Sequence, residues 1–319
     1  MDTQNHSGSP VGAVVVGIAA DGSGAALTFG AGEACRTHRP LHLVHVLRIS
    51  GAEAYAGVLQ GAFDAADATV DEGVARAREL VEGQVPVTAE RVDEGWLVAD
   101  LVDRASSGSM LVLQHRRESS LHRLVTGSIV AGVASRCPVP VVSVPEDWAP
   151  GDWAPGDSEA VVTVGVQDAD EAEPLIRRGL VEAQARGARL DVLSAWHRGG
   201  GGHDSVVDRQ LRADDETRIT HALAPALGAA CAEVPGVPVE LRIEHAVPVQ
   251  ALLAGGRSSQ LLVIGRRHHL LPLGSHLGPV ARTVLQHSTT PVLLNPESPR
   301  EVTVAAEDSA AAPRAVQPA

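Results

Sequence analysis

The 319-residue chain contains no lysine, so all 26 of its basic residues are arginine. A lysine Schiff base, a lysine general base and the lysine of a phosphate-binding P-loop are therefore excluded. Aromatics are nearly as scarce: four Trp, two Phe and one Tyr are too few for the stacking platforms that grip single-stranded nucleic acid. Positive charge is in the minority, with 26 basic against 39 acidic residues and a formal charge of −13. This argues against nucleic acid and anionic membranes as partners, because phosphate binding needs clustered positive charge. Cys35, Cys137 and Cys231 are far apart, odd in number and form no C-x-x-C, so neither a zinc knuckle nor a disulfide framework is expected. The first ten residues are polar, without the apolar core of a leader, and no run approaches a membrane span. The expectation is a soluble, reduced, cytoplasmic protein.

What the chain does contain is enough apolar residue, 44% of the total, to bury an ordinary core, and a length that suits two domains. Residues 147–156 read DWAPG twice in succession; Pro and Gly at that density break helix and strand alike, so 147–157 is expected to be a semi-rigid linker. Residues 1–10 and 297–319 are expected to be disordered tails, leaving domains at 11–146 and 158–296. These two segments repeat each other. A shift of 151 residues lays Leu111-Val112 on Leu262-Val263, Arg116 on Arg267, Gly127 on Gly278 and Pro140-Val141 on Pro291-Val292, which is the mark of an internal duplication.

Each copy alternates short apolar runs with longer amphipathic ones. In the first copy, strands are expected at 11–18, 41–47, 85–92, 110–113 and 139–144, with helices at 25–37, 61–82, 97–105 and 128–135. In the second, strands are expected at 160–166, 190–196, 237–243, 260–264 and 292–294, with helices at 173–186, 207–232, 247–255 and 280–287. Alternation of this kind predicts the α/β class: two tandem flavodoxin-like domains, each a five-stranded parallel sheet with helices on both faces.

In such sheets ligands bind beyond the carboxyl ends of the strands, where strand order reverses. Two loops per copy then carry the candidate chemistry. After the first strand stand Asp21-Gly22-Ser23 and Gln167-Asp168, where a carboxylate can accept from a sugar hydroxyl or a base amine; a plain turn with a helix cap is the alternative. After the fourth strand stand Gln114-His115-Arg116-Arg117 and Gly265-Arg266-Arg267-His268-His269. Helices open soon after, at Gly127-Ser128 and Gly278-Pro279. A basic loop beside a glycine-led helix start can receive an anion; a solvated arginine-rich surface is the alternative. His42 and His45, three apart on a strand, face opposite sides and cannot chelate one metal. Ser23, Ser128 and Ser194 lack a nucleophile elbow, no catalytic residues can be named, Trp96 and Trp196 are expected to be packing residues, and Cys137 a buried small hydrophobe.

These residues resemble the universal stress protein family in its tandem form, over about 11–145 and 160–296. The resemblance rests on V-V-G-x-x-x-D-G-S ending at Ser23, Val44-His45-Val46, the helix-opening Gly127-Ser128 and the C-P-V-P-V-V that starts at Cys137. It implies a stress-response protein without turnover, its domains paired through their last strands, here Val139–Val144 and Val292–Leu294. ATP-binding members resemble one another in a G-x2-G-x9-G-(S/T) loop, a first-strand aspartate and a valine beside adenine. Carried over, the first copy offers Asp21, Val46, Gly127 and Ser128, with Arg116 and Arg117 as charge, but has Gln114 and Arg117 at the first two glycines. The second offers Asp168 (with one residue inserted, since Gln167 is otherwise in register), Gly265, Arg266, Arg267 and Gly278, but has His268, Pro279 and Ala195 at the remaining positions. A side chain at a glycine position obstructs close phosphate approach, so the resemblance implies at most an eroded ATP site, with magnesium, placed in the first copy ahead of the second. A slow ATPase or other adenine-nucleotide enzyme, and a scaffold that has lost its nucleotide, are the alternatives. A further homodimer and an unidentified protein partner remain open.

Overall fold

The computed structural model describes residues 9–20, 23–47, 56–93, 96–115, 129–151, 160–197, 206–266 and 277–296. The first repeat runs β1 (Val14–Gly17), α1 (Gly24–Thr37), β2 (Leu41–Val46), α2 (Ala56–Val81), β3 (Val87–Val92), α3 (Leu97–Ala105), β4 (Met110–His115), α4 (Ile129–Ala134) and β5 (Val141–Pro145). The second runs β6 (Val161–Gly165), a 3-10 turn (Ala169–Glu171), α5 (Ala172–Arg186), β7 (Arg189–Trp196), α6 (Val206–Glu233), β8 (Val239–His245), α7 (Pro248–Arg257), β9 (Leu261–Gly265), α8 (Pro279–His287) and β10 (Val292–Asn295). Every expected strand and helix is present, with ends displaced by a few residues. The strands read as unbroken apolar runs because helices cover both faces of a parallel sheet, so neither face of the inner strands needs polar residues.

All ten strands form one sheet in the order β3-β2-β1-β4-β5-β10-β9-β6-β7-β8. Within each repeat the pairing is parallel, and β1 lies between β2 and β4 as β6 lies between β7 and β9. Strand order therefore reverses beside β1 and β6, as the sequence implies. The repeats join through their last strands: β5 and β10 run antiparallel, with Val142 opposite Leu293 and Val141 opposite Leu294. An antiparallel joint between two parallel half-sheets relates the repeats by a pseudo-twofold axis.

Two apolar layers, one on each face of the sheet, cross that joint. One gathers Val16, Phe29 and Ala34 with Leu180, Val192 and Leu223; the other gathers Val44, Leu111 and Val133 with Leu262, Val284 and Leu294. The two repeats thus share their cores. On the first face the contact is also ionic. Helices α1 and α5 end in left-handed caps at His38 and Gly187, and five residues before each cap stands a buried glutamate, Glu33 and Glu182. The guanidinium of Arg186 lies between them, donating Nη2 to Glu33 and Nη1 to Glu182. Arg36 Nη1 reaches Glu33 at 2.5 Å, and Arg178 Nη2 reaches Glu182 at 2.7 Å. Burial pushes the Glu182 carboxyl up, but Arg186 and then Arg178 outweigh it and hold its pKa below the ordinary value. Burial likewise opposes the charge on Arg186, and Glu33 and Glu182 overcome it, raising its pKa.

The segment expected to be a semi-rigid linker packs on the first repeat at its start. Trp148 packs edge-on against Phe29 of α1, with ring centroids 5.6 Å apart, and residues 152–159 lie outside the described residues. Trp96, expected to pack, is 84% exposed: it stands at the N-cap of α3, where the chain enters the helix from the rim and the ring projects off the sheet. Trp196 does pack, against His245 with centroids 4.4 Å apart. Cys137 is fully buried, as expected, and burial pushes its thiol pKa up.

Candidate functional site

At the reversal point of the second repeat lies a cavity of about 310 Å³. Its floor is the carboxyl end of β6, Gly165 to Asp168, followed by Glu171 and Leu175. One wall is Leu193 and Ala195 of β7 with Pro248 and Leu252 of α7; the opposite wall is Gly265 of β9 and the start of α8, Gly278 to Ala281. The cavity exists where it does because three elements end there together. Gly165 closes β6 against α7, since a Cβ at that position would meet the Leu252 Cδ2 at 2.5 Å. Gly265 lets β9 approach α5 closely, where a Cβ would stand 3.1 Å from the Leu175 Cδ1. Gly278 is the extended N-cap of α8, with Pro279 in the first turn. Proline supplies no N–H there, so the donors that the first turn presents to the cavity are those of Val280 and Ala281.

The candidate residues of the second repeat divide. Asp168 and Gly278 line this cavity with Gly265, and Ala195, which occupies the family's valine position, lines it too. Asp168 is extended and exposed at the head of the 3-10 turn. Arg266 does not line it. Its side chain turns across the domain boundary, is 8% exposed, and donates Nη1 to the carbonyl of Ala134, the last residue of α4 in the first repeat. As a phosphate ligand it is misplaced: the residue after β9 faces the joint, not the crevice. Arg267 lies outside the described residues.

In the first repeat Asp21, Arg116, Arg117, Gly127 and Ser128 lie outside the described residues. Val46 ends β2, buried opposite Val92. Gln114 is more informative. It is the penultimate residue of β4, at the motif position that Gly265 holds in β9, and its Oε1 accepts from the backbone N–H of Ala25 at 3.0 Å and of Ala26 at 3.4 Å. A side chain from β4 thus spans the reversal point and caps α1 from 89 residues away. Ser23, read as a helix cap, makes no side-chain cap bond; its Oγ accepts from Ala19 N at 2.9 Å instead, tightening the turn after β1. Sequence spacing could flag Gln114 as a departure at a glycine position but could not show where its amide goes.

The two histidines of β2 have structural partners. His42 meets Thr88 Oγ1 through Nδ1 at 2.8 Å and Glu90 through Nε2 at 3.2 Å, while the Nδ1 of His45 meets the carbonyl of Ile18 at 3.0 Å on the other side of the sheet. Among the described residues no three His, Cys, Asp or Glu side chains are gathered as a metal site, and no helix is long and apolar enough to cross a membrane.

Comparison with known proteins agrees with this architecture. The universal stress protein family profile matches residues 11–145 and 161–296. A universal stress protein of Mycolicibacterium smegmatis is 28% identical over 194 residues, 61% of this chain and 64% of that protein's length. A crystal structure of a universal stress protein from Archaeoglobus fulgidus superimposes with a TM-score of 0.62 at 16% identity, covering 90% of this chain and 97% of that one, a likeness of fold. A universal stress protein from Archaeoglobus fulgidus solved in complex with dAMP covers 43% of this chain and 96% of its own, at 22% identity and a TM-score of 0.32. With both repeats matched in full and the ten strands arranged as two such domains about one joint, this chain belongs to the universal stress protein family, in its tandem form.

Proposed function

We propose that this protein is a non-catalytic, ligand-responsive stress protein whose adenine-nucleotide site is the cavity of the second repeat. The observation that carries the proposal is the contrast at one position. Gly265 puts no side chain into the cavity of the second repeat, whereas Gln114 spans the reversal point of the first and accepts from the Ala25 and Ala26 amides of α1. This reverses the ranking drawn from the motif alone. The volume, about 310 Å³, is at the small end of ligand pockets, which run from about 300 to 1,000 Å³. It suits a base and ribose held inside with phosphate at the mouth. Leu193, Ala195 and Leu252 offer an apolar wall to a base, the Asp168 carboxylate stands where a ribose hydroxyl can donate, and the Val280 and Ala281 amides favour an anion. Asp168 and Glu171 are the ionisable residues that line the cavity, and the reading is binding, with magnesium arriving as part of MgATP.

The test is calorimetric titration of the full chain with AMP, dAMP and MgATP, repeated on Gly265→Gln, which copies the first repeat's residue into the second. The atoms nearest to the new Cβ are those of the Leu175 side chain, from 3.1 Å, so the variant folds with a small shift of that side chain. One site per chain in the wild type, lost in the variant, is the expected result. Binding that persists unchanged in Gly265→Gln, or no binding at millimolar nucleotide, overturns the proposal. Turnover of MgATP that disappears in Asp168→Asn replaces it with an enzyme.

A further inference from the structure

Gly265 and Arg266 are consecutive, yet one lines the second-repeat cavity and the other is anchored in the first repeat. We propose that Arg266 is a positioning residue that couples occupancy of the cavity to the packing of α4 across the domain joint. The inference deepens the nucleotide reading and rests on it for the ligand, but its mechanical part stands on the ligand-free protein.

The physical argument starts from the guanidinium. It is buried, and it donates to the carbonyl that ends α4, where the helix carries its negative end and its unsatisfied acceptors. A buried charge held in that way does not give up its partner cheaply, so the Arg266 backbone is tied to the first repeat. The peptide that links it to Gly265 must also form the cavity wall. Two backbone dihedrals flank that peptide, and the four side-chain torsions of Arg266 beyond them are held by its burial. A ligand that fixes Gly265 therefore fixes Arg266, and through it the end of α4. Packing supplies a parallel path: Val130, Val133 and Ala134 of α4 share one apolar layer with Leu277, Ala281 and Val284 around the start of α8, which also lines the cavity. Linkage makes the effect reciprocal: whatever factor ligand adds to the anchor, the anchor adds to ligand affinity.

Hydrogen exchange by mass spectrometry on the full chain tests this, with AMP as the probe and Arg266→Met and Arg266→Lys as variants. Without ligand, Arg266→Met is expected to speed exchange both in α4 (129–137) and in the cavity segment 277–287, and Arg266→Lys, which keeps charge near the Ala134 carbonyl, to restore part of each. Loosening confined to 129–137 overturns the coupling whether or not AMP binds. With AMP, the wild type should gain protection in both segments and Arg266→Met only in 277–287, with affinity weakened on the order of five-fold or more. Protection of 277–287 in the wild type without any change in 129–137 also overturns it. Absence of any AMP response refutes the nucleotide reading alone, and the ligand-free comparison still decides the coupling.

Discussion

The joint between repeats is held at its helical face by one buried arginine, and removing it is the sharpest test of how the halves are fixed. In Arg186→Met the Glu33 and Glu182 carboxylates would face each other across the boundary without the cation between them. Each keeps one other partner, Arg36 at 2.5 Å and Arg178 at 2.7 Å, so the loss belongs at the lower end of the ~3–5 kcal/mol that follows when one member of a buried ion pair is deleted. About 3 kcal/mol in a body of this size lowers Tm by roughly 6–12 °C. Urea denaturation at several pH values is the assay, because the sign with pH is specific. Arg186 and Arg178 hold the Glu182 pKa below its ordinary 4.5, so in the wild type its stabilisation is present above that value and lost as pH falls through the lowered one. In the variant Glu182 has lost the Arg186 cation and takes up its proton at higher pH, which relieves the repulsion. The gap between wild type and variant should therefore narrow as pH falls from 7 towards 4. A cost below ~1 kcal/mol, or a gap independent of pH, would refute the assignment. Replacing Glu33, Glu182 and Arg186 together by apolar residues of similar size should cost little or nothing.

Two further outcomes are expected. Gln114→Ala should destabilise the first repeat by about 0.5–2 kcal/mol, the range for a lost helix N-cap, read as faster exchange of the Ala25 and Ala26 amides; unchanged exchange there would remove its role as the cap of α1. Truncation after residue 159 exposes β5, an apolar edge that β10 covers in the intact chain, so the fragment should self-associate; a monodisperse monomer by light scattering would count against the joint as the reason the repeats stay together.

Much of this was legible in the sequence because the information was local or repeated. Strand runs such as Val14–Val16 and Leu261–Ile264 are apolar throughout, as parallel strands covered on both faces must be, and the resemblance to the family implied the joint between the last strands. Side-chain routes were not legible. Arg266 sits in a basic loop whose spacing suits a phosphate, but the residue after Gly265 faces the neighbouring repeat. Gln114 looked like a lost glycine and is a long-range cap. Glu33 and Glu182 did leave a trace: each stands among the buried residues of its helix, Ala26, Gly30 and Ala34 around one, Leu175, Gly179 and Ala183 around the other. A charge on such a stripe signals a buried partner, although nothing local says that the partner is the other repeat.

Among the described residues the sheet ends in two outer strands, β3 and β8, and both are unattractive templates for a further chain. Glu90 on β3 is engaged by His42 at 3.2 Å and Arg104 at 3.4 Å, while on β8 Arg242 bridges Asp191 at 3.5 Å and Glu244 at 2.5 Å. An incoming strand would have to desolvate these ladders of charge along one whole side. Strand addition at either of these edges is thereby disfavoured.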